Sequence, residues 1–334
     1  MATEAAAARP LRPRTPVTAI SARLAAVAAL GAAAAVAVYA TAVERRAYGL
    51  RRETVPVLSP GADPIRILHL SDLHLAPWQF DRIDFVRSLT DLRPDLIVNT
   101  GDSMGHVDAL PVLEEALSVF DGVPGVFVHG SNDYYAPSFK NPLGYLTGPS
   151  GSGGASEPAM LDIDALERLY TERFDWHSLN NDVAQLTING SILEFMGTND
   201  AHRGWDRLDV LPGLVDALRE LDEDDSDDPA VMIGVTHAPY QRVLNAFTTQ
   251  AADVIFAGHT HGGQVALPGY GAIITNCDIP RERARGLSMW HHAHRAAFLN
   301  VSAGLGHSIY APFRFACPPE AVLVTLVPDD IGYS

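Results

Sequence analysis

The sequence predicts an α/β fold in which two packed β-sheets carry helices on their outer faces, preceded by one apolar helix. Three observations predict it. From about residue 64, short apolar runs alternate with amphipathic stretches, the βαβαβ rhythm of a parallel sheet. The second half of the chain is rich in further strand candidates, which two packed sheets would accommodate. Residues 24–43 carry no charged side chain and, at about 1.5 Å per residue, are long enough to cross a bilayer.

The first half of the predicted domain supplies alternating strands and helices. The first helix is predicted because Ile83, Val86 and Leu89 are spaced to share one face, and Pro94 follows to end the helix. Residues rich in Pro, Gly and Ser then predict a long loop over the site or a mobile insertion. The predicted elements are strand 65–70, helix 81–92, a strand from 96, helix 110–120, strand 126–129, loop 136–159 and helix 162–174.

The second half begins with a hairpin. Asn189-Gly190 between two alternating runs is a strong two-residue turn signal, and it marks a change of sheet type. Helix and strand patterns alternate again after it, and the tail adds further strands. The predicted elements are strands 183–188 and 192–196, helix 211–221, strand 231–235, a helix after Pro239, strand 254–256, and strands 272–275, 297–301 and 321–327.

The amino-terminal region predicts attachment to a membrane. The sequence divides into a basic tail at 1–23, an apolar segment at 24–43, a linker at 44–63 and a domain at 64–330. The apolar segment is either a transmembrane helix or a signal segment that is cleaved. Four arginines precede it and four follow closely, so charge does not fix the orientation. Short amino-terminal tails usually stay in the cytoplasm, which favours a membrane-anchored protein with its domain outside the cytoplasm.

Composition excludes several classes of function. A formal net charge of −16 argues against nucleic acid as a partner, because phosphate backbones require clustered Lys and Arg. The one dense charge run, at 222–228, is acidic, lacks the spacing of a calcium-binding loop, and predicts a solvated loop. Cys277 and Cys317 are the only cysteines. They fit either one disulfide in an exported domain or two inert thiols.

Five predicted strands end in side chains that can bind a metal ion. Asp72 and His74 follow the first strand with one residue between them, so an extended backbone directs both to one side. Carboxyl ends of parallel strands meet at one edge of a sheet, where functional residues gather. Imidazoles with carboxylates suit Mn, Fe, Zn or Co better than calcium. The candidates are Asp72, His74, Asp102 in Gly101-Asp102, Asn132 and Asp133, His237, and His259 and His261 in Gly258-His259-Thr260-His261.

These motifs, in this order, resemble those of the calcineurin-like metallophosphoesterases, and the Gly258–Gln264 stretch with one amino-terminal span is most similar to the bacterial, membrane-linked branch. The resemblance implies a four-layer α/β/β/α sandwich holding two divalent metal ions. It implies that Asp102 bridges the two ions. By motif position, one ion would be held by Asp72, His74 and His261, and the other by Asn132, His237 and His259.

The third motif departs from the family pattern Gly-Asn-His-Asp, because this chain has Gly130-Ser131-Asn132-Asp133. Aligning the Gly makes Ser131 the ligand, whereas aligning the Asn makes Asn132 the ligand. Asn132 is favoured because an amide oxygen binds a cation better than a neutral hydroxyl, with Asp133 fixing the loop.

The histidine that would protonate the leaving group is missing from this motif. A general acid contributes about 10²-fold or more to such a reaction. The sequence therefore predicts a substitute, either His106 or His202. For each of the two, a surface or supporting role is the alternative.

The predicted function is metal-dependent hydrolysis of a phosphoester, with a phosphodiester as the favoured substrate. Two cations about 3.5 to 4 Å apart can activate a bridging hydroxide and stabilise both the attacking and the leaving oxygen. The acidic surface and the membrane link favour a small-molecule or lipid-linked phosphoester. Two alternatives are a membrane-anchored metal-binding pseudoenzyme with a sensing role and a pyrophosphatase that acts on a nucleotide-linked lipid. Metal identity and oligomeric state stay open.

Overall fold

The computed structural model describes residues 17–137, 159–220 and 229–329. Within these ranges two six-stranded sheets pack face to face, and helices cover the outer face of each sheet. The predicted α/β/β/α sandwich is therefore confirmed. Both sheets are mixed: one antiparallel pair lies inside the first sheet, and antiparallel pairs form both edges of the second.

The first sheet has the strand order β1-β14-β2-β3-β4-β5. Strands β2, β3, β4 and β5 run parallel, so their carboxyl ends meet at one edge. The carboxy-terminal strand β14 pairs antiparallel with β2 and parallel with β1. The strands are β1 (Gly49–Leu58), β2 (Ile65–Leu70), β3 (Leu96–Asn99), β4 (Gly125–Phe127), β5 (His177–Ser178) and β14 (Glu320–Pro328).

The second sheet has the strand order β12-β13-β9-β8-β7-β6. Its centre, β13-β9-β8-β7, is parallel. The predicted hairpin forms the β6-β7 edge with Asn189-Gly190 as its turn. A small separate hairpin, β10-β11, lies between the two halves of the sheet in sequence. The strands are β6 (Val183–Ile188), β7 (Ser191–Gly197), β8 (Val231–Thr236), β9 (Val254–Ala257), β10 (Ala266–Leu267), β11 (Gly271–Ala272), β12 (Gly286–His292) and β13 (Arg295–Val301).

Three apolar cores separate the four layers. The central core lies between the sheets and includes Ile67 and Phe256, both fully buried. The outer cores lie under the helices and include Phe120 on one side and Phe247 on the other. Because every central strand is buried on both faces, its carboxyl-end loop is held rigidly. The helices are α1 (Val17–Val38), α2 (Phe80–Ser88), α3 (Leu110–Leu117), α4 (Ser131–Tyr134), α5 (Ile163–Arg168), α6 (Leu211–Glu220) and α7 (Gln241–Thr249).

The amino-terminal helix leaves the domain as an exposed apolar rod. Helix α1 continues through a π-helical turn, Tyr39–Val43, and a 3-10 turn, Glu44–Arg46. Within Ala22–Arg46, the most apolar 18 residues have a mean hydropathy of 2.0 and are almost entirely exposed. Length and composition thus make this helix apolar enough to be a membrane anchor or a signal sequence.

The prediction of a linker over residues 44–63 is wrong for Gly49–Leu58, which forms strand β1. Mixed charges and Pro56 favoured a linker in the sequence. However, β1 is an edge strand, and edges tolerate both charged side chains and proline. Its pairing with β14 joins residues that are distant in sequence, with Gly49 opposite Glu320.

The structure tests two further predictions, and three predicted segments lie wholly or mostly outside the described residues. The strand predicted at 272–275 is present only at its first residue, in β11. Cys277 and Cys317 are both free, so the disulfide alternative is wrong. The loop predicted at 136–159 lies mostly outside the described residues. The acidic run at 222–228 and most of the basic tail at 1–23 also lie outside them.

Candidate metal centre

The predicted ligands lie on tight loops that follow the strands. Asp72, His74, Asp102, His259 and His261 all have positive φ angles, between 41° and 67°. Non-glycine residues adopt this left-handed conformation at a cost, and they concentrate at functional sites. The loops therefore direct the side chains toward one another at the expense of backbone strain.

Two overlapping groups of ligand atoms come together at this edge. Asp72, His74 and His261 form one group, and Asp72, Asp102 and His237 form the other, each with ligand atoms within 4.8 Å of one another. We call these five residues the metal-ligand cluster. Its members are all buried, and each group offers the carboxylate and imidazole chemistry of a transition-metal site.

Asp102 lies between the two groups. Its Oδ2 is 3.5 Å from Nε2 of His74 and 3.5 Å from Nε2 of His237. On the other side, Nε2 of His261 is 3.6 Å from Oδ1 of Asp72. These separations are longer than good hydrogen bonds and leave room for an ion between the atoms.

The surrounding backbone orients the histidines. Nδ1 of His237 donates to the carbonyl oxygen of Thr100 at 2.7 Å, which fixes the ring and directs Nε2 toward the cluster. His259 adjoins the cluster rather than completing either group. Its Nδ1 is 3.2 Å from Nε2 of His237, and its Nε2 is 3.2 Å from the carbonyl oxygen of Asn276.

Unpaired buried atoms show that the cluster fits a cation. Oδ1 of Asp72 and both ring nitrogens of His74 are buried without a hydrogen-bond partner among the described residues. Each such atom costs about 1–3 kcal/mol. A cation in the cluster would satisfy Oδ1 of Asp72 and Nε2 of His74, the ring nitrogen that faces Asp102.

The charges of the cluster also favour the binding of a cation. Burial raises the pKa of Asp72 to about 6. Burial opposes a charge on His237, but the carboxylates of Asp102, Asp72 and Asp200 outweigh it and raise its pKa to about 9. Burial lowers the pKa of His74 to about 4, so this imidazole is neutral and able to bind a metal. The negative charge of the buried carboxylates calls for positive charge beyond what the histidines supply.

Asn132, the predicted ligand of the third motif, lies against Asp102. Its backbone nitrogen donates to Oδ1 of Asp102 at 2.9 Å, and its side-chain Nδ2 donates to Oδ2 at 2.7 Å. The preceding Gly130 allows this approach, because a Cβ there would collide with Oδ1 of Asp102 and lie 2.7 Å from the His237 ring. The structure therefore brings Asn132 to the cluster.

Asp133 faces the backbone instead of the cluster. Its Oδ2 accepts from the nitrogens of Asp102 and Gly130, and its Oδ1 accepts from those of Ser103 and Met104. Four backbone donors thus occupy one buried carboxylate. This arrangement accounts for a role in fixing the loop that carries Asp102.

The two predicted substitutes for the missing histidine lie in different surroundings. The ring of His202 lies 4.5 Å from that of His259, and its Nδ1 is 3.0 Å from the hydroxyl of Tyr240. His106 is partly exposed, and its ring contacts Trp78 at 4.9 Å. Of the two, His202 is the one beside the site.

Asp200 is a buried acid that the strand-end pattern could have identified but did not. It follows β7, as Asp102 follows β3, and its Oδ2 has no hydrogen-bond partner among the described residues. Burial raises the pKa of Asp200 to about 6, although the nearby His237 opposes this shift. The hairpin pattern of β6 and β7 gives no sign that β7 also pairs in parallel with β8, which is why its carboxyl end lies beside the other strand ends.

The sandwich with two overlapping ligand groups at its strand ends has the construction of a metal-dependent enzyme. The chain belongs to the calcineurin-like phosphoesterase family, whose model matches residues 65–263. It is a metal-dependent phosphoester hydrolase.

Three relatives cover most of the chain. The uncharacterized protein YpbG of Bacillus subtilis is 28% identical over 293 residues, which span 86% of this chain and 90% of the relative. An uncharacterized metallophosphoesterase of Aquifex aeolicus is 25% identical over 272 residues, 80% of this chain and 87% of the relative. The UDP-2,3-diacylglucosamine pyrophosphatase LpxG of Chlamydia muridarum is 26% identical over 285 residues, 78% and 83% of the two chains.

Proposed function

We propose that this hydrolase uses two divalent metal ions and acts on a lipid-linked phosphoester at a membrane surface. The observation that carries the two-ion proposal is the position of Oδ2 of Asp102, 3.5 Å from one imidazole of each ligand group. A carboxylate in that place can contact both ions. The residues that would hold them are Asp72, His74, Asp102, Asn132, His237, His259 and His261.

The ions, of Mn, Fe, Zn or Co, would lower the pKa of water and neutralise charge on the reacting phosphoryl group. The chain's own residues supply positioning. Thr100 fixes the ring of His237, and Asp133 fixes the loop of Asp102. Because these contacts form within the buried core, the ligands need little rearrangement to bind.

His202 is our candidate for protonation of the leaving group. Its ring lies beside His259, and the hydroxyl of Tyr240 orients it. A general acid must reach the leaving oxygen from the edge of the site, which His202 can do and a metal ligand cannot. His106 remains the second candidate.

The lipid-linked substrate rests on two observations. An apolar helix extends from the domain, and the similar LpxG proteins bear the name of a pyrophosphatase acting on UDP-2,3-diacylglucosamine. A phosphodiester or a pyrophosphate linked to a lipid therefore suits this chain. Both are cleaved by attack of water at phosphorus, which this ligand set supports.

Contacts at the helix base support a retained anchor. The nitrogen of Arg314 donates to the carbonyl oxygen of Ala40 at 3.1 Å. Oε1 of Glu44, which is buried, accepts from the nitrogen of Cys317 at 2.6 Å. Cleavage near residue 42 would remove part of a surface that the domain packs against. We propose that the helix is retained and that the domain lies outside the cytoplasm.

A substrate panel tests the proposal. The full chain in detergent, reconstituted separately with Mn, Zn, Fe and Co, is assayed on an aryl phosphomonoester, a bis-aryl phosphodiester and a lipid-linked nucleotide pyrophosphate. We expect turnover of the lipid-linked substrate to exceed that of its water-soluble analogue. Hydrolysis of the monoester alone would contradict the substrate class, and metal binding without any hydrolysis would favour a pseudoenzyme.

A further inference from the structure

A second concave site lies where the amino-terminal helix meets the domain. It is a cavity of about 290 Å³ between the helix end, the start of α2 and the loop before β14. We call it the helix-base pocket. Its principal lining residues are Arg45, Arg46, Trp78, Phe80, Arg82 and His307.

Arg82 gives the pocket a buried positive charge. Its Nη1 donates to the carbonyl oxygens of Leu73 and His74 and to Oε1 of Gln79, at 2.7 to 2.9 Å. All three acceptors are neutral. Its Nε is buried without a hydrogen-bond partner in the part of the chain that the structure describes. A guanidinium held only by neutral groups retains its attraction for an anion.

The rim of the pocket adds more positive charge. Arg45 and Arg46 lie at the end of the helix, and Arg46 pairs with Asp81 at 3.7 Å. Both partners of that pair are more than half exposed, so it neutralises little. The pocket thus holds three arginines against one carboxylate, in a chain whose net charge is −16. Planar guanidinium groups match the oxygens of a phosphate.

The pocket also has an apolar side at the level of the helix end. Trp78 is 55% exposed and Phe80 is 67% exposed, although both are large aromatic residues. Tyr39, one turn before the helix base, is 46% exposed. Aromatic residues at the end of an apolar helix are typical of the zone of lipid headgroups. Contacts from Arg314 and Cys317 hold the helix end against the domain, so pocket and helix keep this relation.

We propose that the helix-base pocket binds the phosphate group of an anionic membrane lipid. The arginines would hold the phosphate, and Trp78 and Phe80 would lie against the glycerol and the upper acyl chains. The pocket is separate from the metal-ligand cluster, but one loop joins them, because Arg82 holds the carbonyl of His74. This proposal goes beyond the hydrolysis proposed above, and the Asp102→Asn variant distinguishes binding in the pocket from binding of the lipid phosphate at the metal-ligand cluster.

The test measures lipid binding by the metal-loaded full chain in a non-ionic detergent. The change in tryptophan fluorescence reports the binding. The probes are dihexanoyl phosphatidic acid, dihexanoyl phosphatidylcholine and inorganic phosphate. We expect saturable binding of phosphatidic acid and much weaker binding of the other two. The double variant Arg45→Gln/Arg46→Gln should weaken phosphatidic acid binding about 30-fold, since each basic residue near a lipid surface contributes about fivefold.

Matched variants locate the binding. Arg207→Gln/Arg295→Gln removes the same charge from exposed arginines outside the pocket and should leave binding unchanged. Asp102→Asn, which alters the metal centre, should also leave it unchanged. The charge-preserving variant Arg45→Lys/Arg46→Lys should recover most of the affinity. Turnover of a water-soluble aryl diester should stay at the wild-type level in the pocket variants, which confirms that they fold.

Three results would overturn the proposal. Equal binding of inorganic phosphate would assign the pocket to a free anion, and equal binding of phosphatidylcholine would remove the role of negative charge. If Asp102→Asn lost binding while Arg45→Gln/Arg46→Gln bound the lipid as the wild type does, the lipid would lie at the metal centre.

Discussion

The metal-ligand cluster and the helix-base pocket lie on opposite sides of one loop and carry opposite charges. On one side the imidazole of His74 faces Asp102, and on the other side its carbonyl oxygen accepts from Arg82. The cluster contains carboxylates that lack enough positive charge, whereas the pocket contains guanidinium groups that lack negative charge. Negative charge is therefore concentrated in the cluster, which favours a cation, and positive charge in the pocket, which favours an anion.

The strongest test of this contrast removes a charge from the cluster. Asp102→Asn keeps the shape of the side chain but loses the carboxylate that lies between the two ligand groups. We expect hydrolysis of an aryl diester to fall about 10³-fold, as when a principal electrostatic group is lost. The exposed Asp209→Asn is the control and should retain wild-type turnover. Activity of Asp102→Asn within tenfold of wild type would contradict a central role.

Asp133 lies next to the metal-ligand cluster, but its carboxylate has a structural role, in contrast to that of Asp102. Asp133→Ala leaves four buried backbone donors without their acceptor, so we expect the free energy of unfolding to fall by about 3 kcal/mol. Urea denaturation monitored by circular dichroism measures this. Asp216→Ala, on the exposed face of α6, should change it by less than about 0.5 kcal/mol. An equal loss in both variants would contradict the anchoring role.

Variants of His202 and His106 test which of the two histidines protonates the leaving group. His202 adjoins the cluster, whereas His106 contacts Trp78, which lines the helix-base pocket. We expect His202→Ala to slow cleavage of an alkyl leaving group about 100-fold and of a nitrophenyl leaving group far less, because only the alkoxide needs a proton. His106→Ala should affect neither substrate. The reverse pattern would assign the proton transfer to His106.

The smallest expected effect concerns a charge pair distant from both sites. Arg66, at the start of β2, bonds to Asp95, and this bond outweighs the cost of burial and lowers the pKa of Asp95. Its contribution is present above the unfolded pKa of about 4 and is lost as the pH falls through the lower folded value. Asp95→Asn should therefore cost about 0.5 kcal/mol at pH 7 and nothing at pH 2, measured by denaturant unfolding.

Local patterns in the sequence predicted most of the cluster. An apolar run that ends in Asp, His or Gly-Asp is visible without a structure, and the parallel-strand rule brings such ends together, as for Asp72, Asp102 and His237. The same rule, applied to β7, would have included Asp200. Whether Asn132 or Ser131 faces Asp102 required the structure, because the third motif allows two alignments.

Features that depend on distant pairing were not visible. Strand β1 has the composition of a linker, and only its pairing with β14, about 270 residues later, makes it a strand. The helix-base pocket combines Arg45, Arg82 and His307, which no short motif connects. The sequence also did not indicate that Arg82 is buried. The helix that carries it, α2, was predicted from the spacing of its apolar residues alone.

The number of metal ions bound per chain tests the central claim most directly. Purified full-length chain, loaded with Mn or Zn and freed of excess metal, is analysed by inductively coupled plasma mass spectrometry together with its diester turnover. We expect two ions per wild-type chain, and a loss of at least one ion in Asp102→Asn. Full turnover with one ion or none, or two ions retained in Asp102→Asn with wild-type turnover, would contradict it.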